Sequence, residues 1–261
     1  MTEELMASLY FVTGTGTEVG KTYCTARAVE RMRECGQRVG IYKPVASGCE
    51  VRADGERYSV DAETLWQAAG RPKSLQAVCP QLFMAPLSPP RAAAEEGTQV
   101  DSQRLRDGLA IWCQGDFDVV MIEGAGGLFS PICDDWLNID LAMEMKRWGQ
   151  REGHSLHLLL VAPDQLGVLH QVISTSRAAE SAGLPIGGLI LNRLDDTADA
   201  SAQTNTKDLL QWCGVPLVAS VEQSGGPLCV FSGVNAREAG GETSRETEAS
   251  VEFLAQTSFR R

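Results

Sequence analysis

The sequence predicts an α/β fold in which helices cover both faces of a mostly parallel sheet. Short aliphatic runs alternate along the chain with segments of helical periodicity, which is typical of a doubly wound sheet. Nearly all of these runs are apolar at every position, as expected for parallel strands buried on both faces. The chain has 261 residues, which fits one such domain or two small ones.

Six aliphatic runs are the candidate strands of the sheet. In chain order they are residues 9–12, 39–42, 117–122, 156–162, 186–191 and 216–219. In doubly wound sheets, ligands bind beyond the carboxyl ends of the strands. The residues that follow these runs are therefore the first candidates for a functional site.

Three apolar stripes with helical spacing are the candidate helices between the strands. In chain order, the stripes are Cys24, Ala28, Met32 and Cys35; Leu137, Leu141, Met145 and Trp148; and Leu169, Val172, Ile173 and Ser176. The first helix is expected to end at Gly36 and the third near Gly183. Residues 79–91 are rich in proline and are predicted to be irregular. We predict one domain over residues 1–224 and a poorly ordered tail over residues 225–261, with a short helix near residues 250–255.

Composition excludes several classes of function. The net charge of −11 argues against a nucleic-acid-binding surface, which needs clustered Lys and Arg. No apolar stretch is long enough to cross a bilayer, and the first residues lack the pattern of a signal peptide. The eight cysteines show no C-x-x-C spacing, so we expect reduced thiols in a cytoplasmic protein rather than a zinc site.

The segment VTGTGTEVGKT, residues 12–22, joins the first predicted strand to the first predicted helix. It ends in Gly20-Lys21-Thr22 like a phosphate-binding loop, but Thr15 stands where the pattern G-x-x-x-x-G-K-[ST] has its first glycine. Backbone N–H groups and the helix N-terminus can bind phosphates, Lys21 can bridge the outer phosphates, and Thr22 can bind Mg²⁺. The sequence predicts a P-loop NTPase-like site with a variant loop; a glycine-rich turn without a ligand is the alternative.

Two further residues follow predicted strands at the same edge of the sheet. Lys43 ends the second strand and precedes Pro44, which fixes the turn. Glu123 ends a buried strand and is followed by a Gly-Ala-Gly-Gly turn, and an acid beside a phosphate loop is a usual Mg²⁺ ligand. A surface lysine and an acidic turn cap are the alternatives.

Taken together, these motifs resemble those of the dethiobiotin synthetase family over about residues 9–219. The matching stretches are GTGTEVGKT (14–22), YKPVASG (42–48), the helix start DAETL at Asp61, APLSP (85–89), EGAGG (123–127) and Asn192 in GLILNR. The family's phosphate loop has the same glycine spacing, including a threonine at the position of Thr15. The loop therefore resembles the synthetase variant.

The resemblance implies an ATP-dependent ligase of biotin synthesis. Its substrates would be 7,8-diaminononanoate, CO₂ and ATP, with Mg²⁺, and its products dethiobiotin, ADP and phosphate. CO₂ would form a carbamate on one amine, the carbamate would attack the γ-phosphate, and the second amine would close the ring from the carbamic–phosphoric anhydride. The family also implies a homodimer, with the substrate carboxylate bound at a helix N-terminus that follows residues 165–167.

The resemblance also implies a role for each matching residue. Lys21 and Lys43 would be catalytic, acting on the γ-phosphate and the carbamate, and Ser47 would bind the carbamate or amine. Thr22, Asp61 and Glu123 would hold Mg²⁺. The residues that would contact ATP are Glu18, Val19, Gly20, Lys21, Thr22, Tyr23, Asp61, Glu123, Gly124, Ala125, Gly126, Asn192 and Arg193, with Asn192 at the adenine.

The chain departs from the family pattern at several positions. At the helix near Val168 it has Val-Leu-His-Gln, ending in His170 and Gln171, where the family typically shows Thr-Ile-Asn-His. This departure leaves open how the substrate carboxylate is held, and the absence of a proline in residues 220–223 leaves the preferred nucleotide base open. Asp54 is an alternative to Asp61 as a metal ligand. Three rival functions are a partition or positioning ATPase, another ATP-dependent ligase of the same fold, and an ATP-binding regulator.

Overall fold

The computed structural model describes residues 7–114, 117–193, 201–222 and 229–230. Its strands are β1 (Ser8–Gly14), β2 (Val39–Tyr42), β3 (Glu50–Val51), β4 (Arg57–Tyr58), β5 (Val119–Gly127), β6 (Ser155–Pro163), β7 (Ile186–Arg193), β8 (Leu217–Glu222) and β9 (Cys229–Val230). Seven of them form one sheet in the order β2-β5-β1-β6-β7-β8-β9, and β3 pairs with β4 separately. All six predicted strands are present in the large sheet.

The large sheet is parallel from β2 to β8, and only β9 runs antiparallel, to β8. The central strand β1 lies between β5 and β6, so Val12 pairs with Glu123 on one side and with Leu159 on the other. Every residue of β1 is buried. Since side chains alternate between the two faces of a strand, helical layers must cover both faces, and the predicted fold class is confirmed.

The helices are α1 (Lys21–Glu34), α2 (Val60–Ala68), α3 (Leu75–Val78), α4 (Pro89–Glu95), α5 (Ser102–Asp107), α6 (Ala110–Cys113), α7 (Asn138–Arg151), α8 (Val168–Ser181) and α9 (Ala202–Trp212). The three predicted helices correspond to α1, α7 and α8. Among the described residues, no helix combines the length and apolar character that a bilayer crossing requires. The seven cysteines whose side chains are described are all free.

Helix ends account for the differences between the predicted stripes and the buried faces. Cys35 is the exposed C-cap of α1, and Leu137, the N-cap of α7, packs against the core but is only partly buried. In α8 the buried positions are Val168, Val172 and Ala179. The buried stripe of α8 therefore begins one residue earlier than predicted, at the first helical residue.

Three local predictions need correction. Helix α4 begins inside the segment predicted to be irregular, because Pro89 occupies its first position, where the fixed φ of proline suits a helix start. The residues after Glu123 form a continuation of β5 to Gly127 rather than a turn. Strand β9 lies inside the predicted tail; residues 223–228 and 231–261, including the predicted helix near 250–255, lie outside the described residues.

Candidate functional site

The phosphate loop connects β1 to α1 and has the backbone geometry of an anion site. Gly20, the N-cap of α1, has a φ of 80°, and Glu18 has a φ of 56°. No side chain caps the helix start, and its first turn contains no acidic residue. The N–H groups of this turn therefore have no side-chain acceptor and can bind an anion.

Close packing explains why the first glycine of the loop is at position 14. A Cβ atom on Gly14 would lie 2.7 Å from the carbonyl oxygen of Gly16 and 2.7 Å from Cγ2 of Val19. The loop thus folds back directly over the end of β1. No such constraint applies to the threonine at position 15, whose side chain is half-buried.

Glu123 is fully buried near the carboxyl end of the sheet and is followed by an irregularity in β5. Val12 pairs with Glu123, whereas Gly14 pairs with Gly127, so β5 has more residues than β1 between these two pairs. Gly126 has a φ of 81° within this bulge, a conformation that glycine adopts without strain. The bulge brings the backbone of Gly127 against the phosphate loop, because a Cβ there would lie 3.2 Å from Cα of Gly16.

Asn138, the first residue of α7, holds the bulge in place. Its Nδ2 donates to the carbonyl oxygens of Ala125 (2.7 Å), Gly127 (3.0 Å) and Ser130 (3.0 Å), and its Oδ1 accepts from the N–H of Ala125 (3.1 Å). A Cβ on Gly124 would lie 2.5 Å from that Oδ1. The glycine after Glu123 is therefore required by the asparagine, which the sequence analysis did not identify.

Lys43 meets two carboxylates at the end of β2. Its Nζ lies 2.7 Å from Oε1 of Glu123 and 3.1 Å from Oδ2 of Asp61, in the first turn of α2. Burial alone would lower the pKa of Lys43, but Glu123 and Asp61 outweigh it and hold the pKa above its usual value. Lys43 is therefore a fixed positive charge that cannot act as a base near neutral pH.

Lys21 lies beside the same group of charges. Its ammonium is 3.4 Å from the carbonyl oxygen of Gly16. Burial lowers the pKa of Lys21; Glu123 counteracts the shift, and the positive charge of Lys43 adds to it. Two buried lysines are thus close enough to repel each other, which suits a site that receives a polyanion.

Two carboxylates contact the Lys43 ammonium, and with the Thr22 hydroxyl that bonds to them they form an oxygen set that fits Mg²⁺. The Thr22 hydroxyl donates to Oε1 of Glu123 (2.8 Å) and also bonds to Asp61. Burial alone would raise the pKa of Asp61, but the charge of Lys43 and, to a smaller extent, the bond from Thr22 lower it. Oε2 of Glu123 is buried and has no hydrogen-bond partner in the described structure. Such an oxygen is a ready ligand for a hard cation. The described residues contain no group of three or more His, Cys, Asp or Glu side chains suited to a metal.

Comparison with known proteins decides the family. A family model described as an AAA domain (AAA_26) matches residues 8–225. The chain is 77% identical to the ATP-dependent dethiobiotin synthetase BioD of Rhodopirellula baltica, over 98% of this chain and 100% of that protein. It is 38% identical to BioD 1 of Salmonella typhi, over 72% of this chain and 77% of that protein, and 32% identical to BioD of Bacillus subtilis, over 80% and 84%. The chain belongs to the ATP-dependent dethiobiotin synthetase family.

Solved structures support the fold of this dethiobiotin synthetase family member. The cell division protein FtsY of Thermotoga maritima superposes with a TM-score of 0.54 at 18% identity, over 87% of this chain and 65% of that chain. The signal recognition particle receptor FtsY of Elizabethkingia anophelis in complex with GDP gives a TM-score of 0.53, also at 18% identity, over 88% and 62%. At this identity the likeness concerns the P-loop NTPase-like fold alone.

Asn192, at the end of β7, is attached to the phosphate loop in this synthetase family member. Its Nδ2 donates to the carbonyl oxygen of Val19 (3.0 Å), and its buried Oδ1 has no hydrogen-bond partner in the described structure. Arg193 extends to Asp164 (3.3 Å), which also accepts from Asn205 of α9 (2.8 Å). Asp164 and Asn205 are buried polar residues that the sequence analysis missed, because neither lies in a matching motif.

Three other residues predicted for the site, Ser47, Tyr23 and Asp54, have surroundings of their own. Ser47 is in the loop after β2, and its hydroxyl donates to the carbonyl oxygen of Leu87 (2.6 Å), in the APLSP stretch. Tyr23 is half-buried in the first turn of α1. Asp54 is exposed and accepts from the N–H of Glu56 (3.0 Å), which is the bond of a turn-forming residue. Of the two candidate ligands, Asp61 is therefore the one that contacts Lys43.

Proposed function

We propose that this chain catalyses the ATP- and Mg²⁺-dependent carboxylation and ring closure of 7,8-diaminononanoate, giving dethiobiotin, ADP and phosphate. The observation that carries the proposal is the meeting of Lys43, Asp61 and Glu123 directly beside the phosphate loop. A site that only hydrolyses ATP needs the phosphate loop and an acidic residue such as Glu123. It does not need a second buried lysine such as Lys43, which follows β2. The high identity to named synthetases over nearly the whole chain supports the same reaction.

The reaction has three steps, each with its own charge requirement. One amine of the substrate attacks CO₂ and loses a proton, forming a carbamate anion. A carbamate oxygen attacks the γ-phosphorus, and ADP leaves with the electrons of the broken P–O bond. The second amine attacks the carbamoyl carbon and loses a proton, and phosphate leaves as the C–O bond breaks and the ring closes.

The two lysines act in the second and third steps. Carbamate and γ-phosphate are both anionic, so they repel each other unless fixed positive charges lie between them. Lys43 keeps its proton because Glu123 and Asp61 raise its pKa, and it neutralises the carbamate and the transferred phosphoryl group. Lys21 lies across the outer phosphates and stabilises the negative charge that develops on the leaving ADP.

The oxygen set formed by Thr22, Asp61 and Glu123 is proposed to hold Mg²⁺, which supplies further positive charge at the phosphates when bound. Glu123 can bind the cation through its unpartnered Oε2 while its Oε1 keeps the ion pair with Lys43. Asp61 is half-exposed and can turn toward an incoming ligand. These residues therefore fix the position of the triphosphate relative to Lys43.

The other expected contacts complete the proposed site. Backbone groups from Glu18 to Tyr23 and from Gly124 to Gly126 bind the triphosphate. Asn192 and Arg193 lie at the adenine of ATP, where the unpartnered Oδ1 of Asn192 can accept a hydrogen bond from the amino group. Ser47 binds the carbamate or amine.

Helix α8 begins directly after Gly167, as expected for the site that binds the substrate carboxylate. Leu166 beside it is 80% exposed, which suits a contact between the two subunits of a homodimer. The free thiols suit a cytoplasmic protein.

Product analysis by mass spectrometry tests the proposed reaction. Purified protein is incubated with the diamine, bicarbonate, Mg²⁺ and each nucleoside triphosphate in turn. We expect dethiobiotin and nucleoside diphosphate in equal amounts, dependent on both diamine and bicarbonate. Nucleotide hydrolysis without dethiobiotin would instead indicate one of the rival ATPase functions.

Replacement of Lys43 tests its role within the reaction. Lys43→Gln is expected to lower kcat by about 100-fold or more, because the carbamate and the phosphoryl group lose their shared counter-charge. Nucleotide affinity should change far less, since the phosphate loop is intact. Wild-type turnover in Lys43→Gln would remove Lys43 from the active site.

A further inference from the structure

A side-chain contact attaches the phosphate loop to α8. The hydroxyl of Thr15 donates to Oε1 of Gln171 at 3.3 Å. Gln171 is in the first turn of α8 and is half-buried, and its own N–H bonds to the carbonyl oxygen of Gly167 (3.2 Å). The contact therefore joins residues that are 156 positions apart in sequence and belong to the two elements proposed to bind ATP and the substrate carboxylate.

A short path leads from this contact to the ammonium of Lys21. The N–H of Thr15 donates to the carbonyl oxygen of Val161 in β6 (3.0 Å), so both the backbone and the side chain of Thr15 are attached to the β6–α8 segment. The next residue, Gly16, accepts the Lys21 ammonium on its carbonyl oxygen (3.4 Å). A displacement of Thr15 would therefore move the carbonyl that Lys21 contacts.

On its other side, the described part of the loop lies against backbone rather than against a partner like Gln171. There the loop lies against the backbone of Gly127, which has no side chain to hold it. Thr17 and Glu18, at the tip of the loop, are exposed. The Thr15–Gln171 bond thus attaches the first half of the loop to another element, in addition to the contact that Lys21 makes with Gly16.

We infer that Gln171 is a positioning residue for the phosphate loop: through Thr15 it sets the loop for ATP and couples ATP binding to the start of α8. The inference rests on the proposed function for its second half, since α8 is there proposed to bind the substrate carboxylate. It assigns Gln171 no contact with the reacting atoms. The same bond also accounts for a threonine at position 15, because a glycine there would have no hydroxyl to donate.

Three variants test the inference. Gln171→Met keeps the length and helical preference of the side chain but cannot accept the hydrogen bond, and Thr15→Val removes the donor. Each is expected to raise the KM for ATP and the Kd for a fluorescent ATP analogue about three- to tenfold, as loss of one hydrogen bond implies. The Tm should stay close to that of the wild type. Thr15→Ser retains the hydroxyl and should bind ATP much better than Thr15→Val.

The double variant Thr15→Val, Gln171→Met separates a positioning role from a general effect. If Gln171 acts through Thr15, the double variant should bind the analogue no more weakly than the weaker single variant. Multiplied losses in the double variant would overturn the inference, as would wild-type affinity in Gln171→Met. Gln150→Met, an exposed position on α7, is the control for the same substitution and should match the wild type.

The coupling between the two substrates has its own readout. In the wild type, the diamine should tighten binding of the ATP analogue, and Gln171→Met should reduce this effect. Loss of analogue affinity in Gln171→Met without any change in the diamine effect would overturn the coupling. If the protein forms no dethiobiotin, the proposed function fails, but the analogue titrations still decide whether Gln171 positions the loop.

Discussion

The ammonium of Lys43 lies 2.7 Å from Oε1 of Glu123, and the Thr22 hydroxyl donates to the same oxygen at 2.8 Å. One carboxylate oxygen thus connects the end of β2 with the first turn of α1. Lys43 and Glu123 are both almost completely buried. Since an unpaired buried charge is costly, each residue stabilises the other before any substrate is present.

Removal of one member of this pair should destabilise the protein. In the described structure, Glu123→Gln leaves the half-exposed Asp61 as the charged partner of the Lys43 ammonium. We expect the free energy of unfolding to fall by about 3 kcal/mol, measured by urea denaturation without nucleotide. The double variant Lys43→Met, Glu123→Gln should lose less than the sum of the two single variants, because it leaves neither the buried ammonium nor the buried carboxylate of this pair without its partner.

An exposed ion pair is the matched control for this experiment. Arg31 and Glu34 form a salt bridge at 3.1 Å on α1, with both side chains largely exposed. Glu34→Gln should change the free energy of unfolding by about 0.5 kcal/mol or less. Equal urea midpoints for Glu123→Gln and Glu34→Gln would contradict the stabilising role of the buried pair.

Asp61 should determine the Mg²⁺ requirement. Asp61→Asn keeps the shape of the side chain but removes a negative charge from the proposed oxygen set, so we expect the Mg²⁺ concentration for half-maximal rate to rise about tenfold or more. The measurement is a Mg²⁺ titration of dethiobiotin formation at fixed ATP. Asp54→Asn, in the exposed turn before α2, should leave the titration unchanged. Unchanged half-saturation in Asp61→Asn would assign the metal to other ligands.

The lowered pKa of Lys21 predicts proton uptake on nucleotide binding in alkaline solution. In the free protein, burial and Lys43 disfavour the ammonium, so Lys21 loses its proton at a lower pH than an ordinary lysine. Phosphates favour the ammonium and raise the pKa in the complex. Between these two pKa values the complex holds more protons than the free protein, and ATP affinity must fall as the pH rises.

Calorimetry in two buffers with different ionisation enthalpies measures this uptake. Proton uptake should grow with pH in the alkaline range below the usual pKa of lysine, and Lys21→Met should abolish it. Lys21→Met should also remove most of the fall in ATP affinity that the wild type shows as the pH rises through this range. Equal uptake in the wild type and in Lys21→Met would assign the proton to another group.

Sequence reasoning succeeded where the signal is local and repeated. The long buried strands were predictable because apolar runs such as residues 156–162 leave few alternatives. The two-residue strands β3, β4 and β9 were missed, because two residues show no periodicity. Lys43 and Glu123 were expected at one edge of the sheet because each follows a parallel strand, and β2 and β5 are indeed neighbours.

Contacts between distant residues could not be predicted in the same way. Asn138 stands at a helix start, where an asparagine normally indicates a cap, but its side chain instead binds a bulge that begins 13 residues earlier. Gln171 lies on a helix face whose neighbour is set by the tertiary fold. The Gly-Ala-Gly-Gly stretch was predicted as a turn, because a glycine-rich turn and a glycine-rich bulge have the same composition.

Asn138 should control the position of Glu123 as well as stability. Asn138→Ala removes the side-chain bonds to Ala125, Gly127 and Ser130, including both bonds to the backbone of Ala125. We expect the free energy of unfolding to fall by about 3 kcal/mol, and kcat to fall because the bulge after Glu123 loses its fixed geometry. The measurements are urea denaturation and a Mg²⁺ titration of the rate, which should shift to higher concentration.

Asn205→Ala separates these two effects of Asn138. Asn205 is also a buried asparagine, and its bond to Asp164 (2.8 Å) lies on the β7 side of the sheet, away from Glu123. Its replacement should destabilise the protein through the same kind of loss but leave the Mg²⁺ titration as in the wild type. If Asn138→Ala lowers stability while kcat and the Mg²⁺ titration stay at wild-type values, the bulge does not position Glu123. A shift in Asn138→Ala alone would instead tie the geometry of the bulge to the metal ligand.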